Sequence, residues 1–325
     1  MRFACSLLVV AACGDDGGGV SGDAARDSHT VGGWSTGADV AHGAIQETAA
    51  VGVGGKIYVI GGFEGQTIVP RVQIYDTQAG TWSDGPALPK AVHHANAVTD
   101  GTTIYVLGAL TGTNFVAIGD GYKLNPATDT QWSTLATMPL GRERGAAVSG
   151  IIDGKIYLAG GFRSLAASDL VDVYDPIGDA WTPLTALPAA RDHACGAAIG
   201  SELIFVGGRT VQTNSPRPDA WSYDPGMDKW TAIASMPTGR GGMGCGAIGD
   251  VLYTTGGEGN PAVPSGVFPD VEAFSASTRA WTELPDMPNP KHGVAGAVSG
   301  GALYLCGGAN MEGFGAIAAT DIFRP

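Results

Sequence analysis

Residues 155–188 read KIYLAGGFRSLAASDLVDVYDPIGDAWTPLTALP and hold, in order, the parts of one structural unit. A short apolar run closes on Gly160-Gly161, a second run ends at Tyr174, and Trp181 and Pro188 follow. The tryptophan of this unit belongs to a series at intervals of 48, 50, 49, 49 and 51 residues: Trp34, Trp82, Trp132, Trp181, Trp230 and Trp281. A fixed period of this size indicates one supersecondary unit repeated along the chain.

The other landmarks of the unit recur at matching positions. Glycine pairs close the apolar runs at Gly61-Gly62, Gly160-Gly161, Gly207-Gly208, Gly256-Gly257 and Gly307-Gly308, with Gly108-Ala109 in the second unit. The tyrosine position reads Tyr75, Tyr122, Tyr174, Tyr223, Phe274 and Phe323. By these residues the chain resembles the Kelch family of β-propellers over residues 34–325. The resemblance is specific for the fold and carries little information about chemistry.

Each unit offers four short apolar or alternating runs, in the third unit near residues 145–151, 155–160, 170–174 and 180–184. We therefore predict an all-β, six-bladed Kelch-type β-propeller with four-stranded blades, residues 34–325 forming a single domain. The last unit ends at Asp321–Pro325 without its tryptophan strand, which residues 33–36 can supply. The N- and C-terminal strands are thus expected to share one blade and close the ring. The periodic tryptophans are expected to pack between adjacent blades.

Composition narrows the function. Hydrophobic residues make up 44% of the chain and charged residues 15%, with 52 glycines, which indicates a folded protein rich in tight turns. The formal net charge is −13 and basic runs are lacking, which argues against nucleic-acid binding. No segment after the N-terminal stretch is long and apolar enough to predict a membrane helix.

The N-terminus predicts export. Residues 1–12 resemble a bacterial lipoprotein signal peptide that ends in a lipobox, with Cys13 as the first mature residue and the site of lipidation. Residues 13–33 are then a Gly/Asp-rich flexible tether. The expected location is the bacterial cell envelope, periplasmic or on the outer surface, with the membrane reached through the lipid anchor. An ordinary secretory signal is the alternative interpretation.

With Cys5 in the signal and Cys13 as the lipidation site, three cysteines remain: Cys195, Cys245 and Cys306. Cys195 and Cys245 occupy similar places on the first strands of neighbouring blades, so a disulfide between them is one possibility in an oxidising compartment. The favoured prediction is that they are separate small buried hydrophobes, because matching positions on adjacent blades are usually too far apart for a disulfide.

The between-blade connections carry a proline followed three residues later by a cation: Pro139 and Arg142, Pro188 and Arg191, Pro237 and Arg240, Pro288 and Lys291. These connections and the loops from second to third strand emerge on one face, which we call the top face. The cations are predicted to ring the mouth of the central channel and to hold an anionic ligand. Pairing of the arginines with aspartates such as Asp192 is the alternative. The predicted ligand-binding residues are Arg142, Arg191, Arg240, Lys291, His93, Arg163, Arg209 and Glu258.

These observations favour a cell-envelope recognition protein that binds an unknown protein or glycan, without catalytic residues or cofactors. No metal site is expected, because adjacent His93 and His94 would point in opposite directions on a strand. The alternative function is a periplasmic sugar mutarotase similar to N-acetylneuraminate epimerase. It would use a cation for the sugar carboxylate and carboxylates for acid–base catalysis, from the set Arg191, Arg240, Glu143, Asp192 and Glu258.

Overall fold

The computed structural model describes residues 33–210 and 213–325. Cys13, the predicted signal peptide and nearly all of the predicted tether lie outside these residues. Across the described ranges the chain forms β-strands joined by turns, without a helix. Accordingly, none of the described residues belongs to a helix with the length and apolar content needed to cross a membrane.

Six four-stranded antiparallel sheets form the blades of the propeller. The strands of the first three blades, from the channel outward, are as follows: β2 (Ala49–Val53), β3 (Lys56–Ile60), β6 (Val72–Asp76) and β7 (Thr81–Asp84); β8 (Ala97–Thr99), β9 (Ile104–Thr111), β10 (Val116–Leu124) and β11 (Ser133–Leu135); β12 (Val148–Ile152), β13 (Lys155–Ala159), β16 (Val171–Asp175) and β17 (Ala180–Pro183).

The strands of blades four to six follow the same plan: β18 (Cys195–Ile199), β19 (Glu202–Val206), β20 (Ala220–Asp224) and β21 (Lys229–Ile233); β22 (Gly244–Ile248), β23 (Val251–Thr255), β24 (Val271–Ser275) and β25 (Ala280–Leu284); β26 (Gly296–Ser299), β27 (Ala302–Cys306), β28 (Thr320–Phe323) and β1 (Trp34–Thr36). Two short hairpins decorate the second-to-third-strand loops: β4 (Phe63–Glu64) with β5 (Thr67–Ile68), and β14 (Phe162–Arg163) with β15 (Ala166–Ala167). The predicted six-bladed, all-β architecture is confirmed.

The sixth blade closes the ring as predicted. Strand β1 pairs antiparallel with β28, in the register Trp34 opposite Phe323 and Thr36 opposite Asp321. The first strand of the described chain therefore completes a sheet whose other three strands come from its end. The pairing of β1 with β28 therefore holds the two ends of the propeller together in one sheet. Loss of either strand would open the ring.

The periodic tryptophans pack between blades, as predicted. Five indole N–H groups donate to a backbone carbonyl of the preceding blade at 2.7–3.1 Å: Trp82 to Ala38, Trp132 to Pro86, Trp181 to Ala136, Trp230 to Thr185 and Trp281 to Ala234. Each of these indoles thus uses its one polar atom to join two neighbouring sheets, while its ring contributes apolar contact area.

Cys195 and Cys245 form a disulfide, which corrects the favoured expectation that they are separate. Their Cα atoms are 6.1 Å apart, within the range that a disulfide spans. The inner strands approach this closely because they converge on the propeller axis and carry small residues; a Cβ on Gly296 would lie 2.2 Å from the carbonyl oxygen of Cys245. Cys306 is a free, buried cysteine.

Candidate functional site at the channel mouth

The top face is defined by one repeated backbone contact. In every blade, a residue of the between-blade connection forms an antiparallel bridge with a residue at or just beyond the end of the second strand: Gln46 with Phe63, His93 with Leu110, Gly145 with Phe162, Asp192 with Arg209, Gly241 with Glu258 and His292 with Ala309. The connections and the loops therefore lie together, and this end of the channel is the mouth.

The residue after each bridge faces the channel and has a left-handed backbone. These six mouth residues have φ between 50° and 68°: Glu47, His94, Ala146, His193, Gly242 and Gly293. Five backbone hydrogen bonds link neighbours around the axis: Glu47 N to Gly293 O, His94 N to Glu47 O, Ala146 N to His94 O, Gly242 N to His193 O and Gly293 N to Gly242 O. The blades are thus joined around the mouth by a nearly continuous ring of main-chain bonds.

Glu47 and His94 form the first side-chain pair of the mouth. The Nε2 atom of His94 is 2.9 Å from Oε2 of Glu47. The Nδ1 atoms of His94 and His93 are 2.6 Å apart, and Nε2 of His93 is 3.2 Å from the carbonyl oxygen of Gly112. Burial, with the neighbouring His94, lowers the pKa of His93 to about 3, so this imidazole is neutral at pH 7.

Hydrogen-bond logic assigns the protons of this pair. A carbonyl only accepts, so Nε2 of His93 carries its hydrogen and Nδ1 of His93 is an acceptor. The Nδ1–H of His94 must then donate to it. The Nε2 atom of His94 lies at hydrogen-bond distance from the Glu47 carboxylate. A proton or another positive charge must therefore lie between the nitrogen and the carboxylate oxygen. Burial opposes ionisation of Glu47, but its histidine neighbours hold the pKa of the carboxyl far below its usual value.

A second chain of contacts continues around the mouth. His193 Nδ1 donates to Oδ1 of Asp192 at 2.5 Å, and Nε of Arg209 donates to the same oxygen at 3.0 Å. Arg209 also forms an ion pair with Oε1 of Glu258. Burial opposes ionisation of Asp192, but His193 and Arg209 hold the pKa of its carboxyl below the usual value. Burial, with the charge of Arg209, lowers the pKa of His193.

His292 closes the circuit between Glu258 and Glu47. Its Nε2 is 2.8 Å from the carbonyl oxygen of Met311 and therefore carries a hydrogen. Its Nδ1 lies 3.4 Å from Oε2 of Glu258 and 3.9 Å from Oε1 of Glu47, beyond hydrogen-bond geometry for both. The His292 side chain is 1% exposed. A buried nitrogen without a hydrogen-bond partner thus faces two carboxylates.

The mouth residues end a cavity that follows the channel. It has a volume of about 450 Å³ and is lined by the six mouth residues and by the small residues of the inner strands, including the disulfide of Cys195 and Cys245. This volume falls within the range of small-molecule sites. The cavity therefore presents carboxylate and imidazole groups at one end of a passage whose walls are formed by small residues.

The predicted ring of cations is not found at the mouth. The Arg240 and Lys291 side chains have no exposed surface, and they pair with Glu272 at 2.9 Å and Asp321 at 2.7 Å. These carboxylates lie on third strands, farther from the axis than the inner strand, and so draw the cations away from the channel. Because a buried charge requires a partner, these side chains serve the interior of the blade.

In the third unit the repeat position is Arg144, which corrects the assignment of Arg142. Arg144 stands two residues before the mouth residue Ala146, as Arg191 stands before His193. Arg144 is fully buried and pairs with Asp172 at 2.7 Å; Arg142 reaches the same carboxylate at 2.5 Å from a 21% exposed position. The connection after Pro139 is longer than its counterparts, so the repeat cation does not lie three residues after this proline.

Trp221, the tryptophan that stands off the period, replaces a carboxylate. It lies two residues before Tyr223, where the third, fifth and sixth blades have Asp172, Glu272 and Asp321. Arg191 instead pairs with Asp219 at 2.6 Å, and its guanidinium carbon is 5.3 Å from the centre of the Trp221 ring. The cation–π contact substitutes for part of the lost charge pairing.

The remaining predicted residues divide into two groups. Arg209, Glu258, Asp192 and His93 belong to the mouth network. Arg163 donates to the backbone carbonyl of Glu143 at 3.3 Å, outside that network. The prediction that His93 and His94 point in opposite directions is wrong, because His94 has a left-handed backbone and not an extended one.

The residues missed by sequence reasoning are Glu47, His94, His193 and His292. One signal identifies three of them. The position two residues after the buried repeat cation, or after Ile45 and Val92 in the blades that lack the cation, is Gly242 in the fifth blade and Gly293 in the sixth, where Gly suits a left-handed backbone. A histidine or glutamate at a position that favours glycine is therefore a candidate for a functional side chain.

Exposed apolar side chains gather on the top face. Among the described residues, eight large hydrophobic side chains are exposed. Six of them lie at the top face: Leu140, Leu165, Val263, Met311 and Phe314 in connections or loops, and Val116 at the top-face end of β10. The other two, Ile177 and Met227, lie in hairpins between third and fourth strands on the opposite face. Phe314 also contacts Phe63 edge to face, with ring centres 5.4 Å apart.

Comparison with known proteins agrees with this architecture. A family model described as the KLHDC2/KLHL20/DRC7 Kelch-repeats domain matches residues 137–308, and the Kelch motif matches residues 47–89. The chain is 35% identical over 303 residues to the Kelch-like protein terF of Aspergillus terreus, covering 86% of this chain and 64% of that protein. It is 25% identical over 268 residues to Kelch-like protein 35 of Mus musculus, covering 79% and 42%.

The solved structure of YjhT superimposes on the chain with a TM-score of 0.71 at 17% identity, covering 85% of this chain and 94% of that one. At this identity the likeness concerns the fold alone. The chain spans less than two thirds of the length of the two curated relatives.

Proposed function

Because the chain belongs to the Kelch-repeat family of β-propellers, we propose that it is a recognition protein that binds a protein partner on the top face. The observation that supports this is the concentration of exposed apolar side chains there, six of eight among the described residues. Exposed apolar surface on one side of a rigid scaffold is typical of a protein-interaction site. The cations that favoured an anionic ligand are paired inside the blades, so apolar contact is the better-supported mode.

Two loop tips are the expected anchors. Leu165 is 66% exposed at the end of a tight hairpin in the third blade, and Phe314 is 46% exposed in the sixth. Both stand on second-to-third-strand loops, which the rigid blades hold in place. Burial of such side chains in a partner supplies hydrophobic free energy without a charge contact, so binding should depend weakly on salt.

Site-specific crosslinking tests the proposal. A photo-reactive residue placed at Leu165 or Phe314 of the full chain, in the cells that produce it, is expected to trap the partner. The same residue at Ile177 or Met227, equally apolar and exposed on the opposite face, is the matched control. Leu165→Asp and Phe314→Asp should each weaken binding of the trapped partner about tenfold, while Ile177→Asp leaves it unchanged. Equal crosslinking from both faces, or a trapped glycan instead of a protein, would contradict the proposal.

A mutarotase acting on an acidic sugar is the second candidate. Its support is the hydrogen-bonded pair of Asp192 and His193 at one end of a cavity of about 450 Å³, with Arg209 beside it. Arg191 and Arg240, by contrast, pair with carboxylates within their blades. Nuclear magnetic resonance can measure the rate at which the anomers of a free acidic sugar interconvert. If the protein does not accelerate this interconversion, the activity is rejected. Acceleration by the unaltered chain that is lost in Asp192→Asn supports the activity.

We also propose that the protein is an exported, lipid-anchored protein of the cell envelope. The support is the lipobox pattern that ends at Cys13 and the disulfide of Cys195 and Cys245, since stable disulfides are typical of oxidising compartments. Labelling with radioactive palmitate should mark the chain and should disappear in Cys13→Ser but persist in Cys306→Ser. Persistence of the label without Cys13 would contradict the anchor.

A further inference from the structure

We propose that Glu47, His94 and His193 form a binding site for a divalent transition-metal ion at the mouth of the channel. One ligand atom from each residue lies within 4.8 Å of the other two. Two imidazoles and one carboxylate are the protein ligands of several catalytic zinc sites and of non-haem iron(II) sites. Mg²⁺ and Ca²⁺, which prefer oxygen ligands alone, do not fit this donor set.

The three side chains occupy equivalent positions around the mouth. Each residue has a φ of 50° to 54°, and Gly242 and Gly293 occupy the same position in the fifth and sixth blades. Ala146, with a φ of 51°, shares this strained conformation without a ligating group, so the backbone alone does not mark a site. What distinguishes the three residues is a metal-ligating side chain at the channel mouth, close to the other two.

The outer contacts of the histidines orient them for a metal. His193 donates its Nδ1–H to Asp192 at 2.5 Å, which leaves the lone pair on Nε2. His94 donates its Nδ1–H to His93 and directs Nε2 to Glu47. Metal-ligating histidines characteristically donate their second ring N–H to a carboxylate or another acceptor, which fixes the tautomer.

An independent observation indicates that positive charge belongs here. The Nδ1 atom of His292 is buried, has no hydrogen-bond partner and faces Glu47 and Glu258 at 3.9 and 3.4 Å. Its Nε2–H is bound to the carbonyl of Met311, so Nδ1 is the ring atom directed at the two carboxylates. A cation held by Glu47 would place positive charge beside these carboxylates.

The geometry requires little movement. Ligand atoms about 2.0–2.2 Å from a tetrahedral Zn²⁺ lie about 3.4 Å apart. The 4.8 Å spread must therefore shrink by about 1.4 Å at most, which side-chain rotation can supply. Three protein ligands leave a further coordination position, which faces the cavity and can take water or a donor atom from a ligand.

Titration of the chelator-treated full chain with Zn²⁺, followed by calorimetry, tests the site. One equivalent is expected to bind, and His94→Asn and His193→Asn should each lose at least tenfold in affinity. Asparagine is chosen because it tolerates a left-handed backbone. His42→Asn removes a histidine paired with Asp84 on the surface and is the matched control. It should bind Zn²⁺ like the unaltered chain.

Two further measurements guard against variants that fail to fold. Metal-free melting curves show whether each variant is native. Because Zn²⁺ binds the native state, it should raise the melting temperatures of the unaltered chain and of His42→Asn, and it should raise those of His94→Asn and His193→Asn less. Co²⁺ bound to the unaltered chain should show the intense visible bands of four- or five-coordinate cobalt. No bound equivalent, unchanged affinity in both His94→Asn and His193→Asn, or a weak octahedral cobalt spectrum would overturn the proposal.

Discussion

Arg240→Met is expected to lower the free energy of unfolding by about 3–5 kcal/mol, because it leaves the carboxylate of Glu272 buried without its counter-ion. The Arg240 and Glu272 side chains are 0% and 1% exposed, and their Nη1 and Oε2 atoms are 2.9 Å apart. Arg240 also donates to the hydroxyl of Thr254 at 3.1 Å. Urea unfolding, followed by tryptophan fluorescence, measures the loss.

The chain supplies the control for this variant. The first blade has Ile45 and Gln73 at the positions of Arg240 and Glu272, and both are buried. The double variant Arg240→Ile/Glu272→Gln, which copies that pair, should recover most of the lost stability, since no unpaired charge remains. A double variant as unstable as Arg240→Met would show that the guanidinium matters for its shape and hydrogen bonds and not for neutralising Glu272.

The pH dependence of Arg240→Met has a definite sign. Burial raises the pKa of Glu272, and Arg240 opposes that rise. Without Arg240, the folded-state pKa of Glu272 lies still higher above its unfolded value. At a pH above the unfolded-state pKa of Glu272, the folded state then binds more protons than the unfolded state, so stability falls as pH rises. Arg240→Met should therefore be closer in stability to the unaltered chain at pH 5 than at pH 8.

The double variant Cys195→Ala/Cys245→Ala is expected to lose about 4 kcal/mol, because the disulfide closes a loop between residues 50 apart in sequence. In a domain of this size that loss corresponds to a fall in melting temperature on the order of 10 °C. Scanning calorimetry of the double variant, and of the unaltered chain with its disulfide oxidised or reduced, measures the change in melting temperature. Reduction of the unaltered chain should lower its stability by nearly the same amount, because substitution and reduction both remove the cross-link from the unfolded state.

Cys306→Ala is the control for the disulfide. Cys306 is buried in the sixth blade and carries no bridge, so its truncation should cost little and should be insensitive to oxidation. Peptide mapping under non-reducing conditions should recover the segments containing Cys195 and Cys245 as one linked species. Free thiols at both positions in the oxidised protein would contradict the bridge.

The architecture was readable from the sequence because packing repeats with the chain. Each blade must bury both faces of its sheet, so every unit needs its own apolar runs, glycine pair and tryptophan. The shared blade could also be predicted. The strand of Phe323 has no tryptophan strand after it, and the strand of Trp34 has no other strands of a unit before it. Both features depend on local sequence and on its period, and the register of β1 with β28 confirms them.

The site was less accessible, for reasons visible in particular residues. The spacing from Pro139 predicts Arg142 as the repeat cation, because an insertion in a connection cannot be recognised from a single sequence. The contact of Arg144 with Asp172 shows that Arg144 occupies the repeat position. The side chains of Arg240 and Lys291 were expected at the mouth, but their direction depends on carboxylates of a strand that follows about 30 residues later. Charge alone did not reveal which way these cations point.

The amino-acid sequence by itself determined the six blades, their four strands and their closure, because hydrophobic burial and turn chemistry act within each period of about 50 residues. Only the tertiary structure decided which side chains meet at the axis. Glu47, His94 and His193 come from three different blades, and they meet because the ring brings equivalent positions together and a left-handed backbone turns each side chain inward. A side-chain direction set by φ, at positions far apart in the chain, leaves no periodic pattern to read.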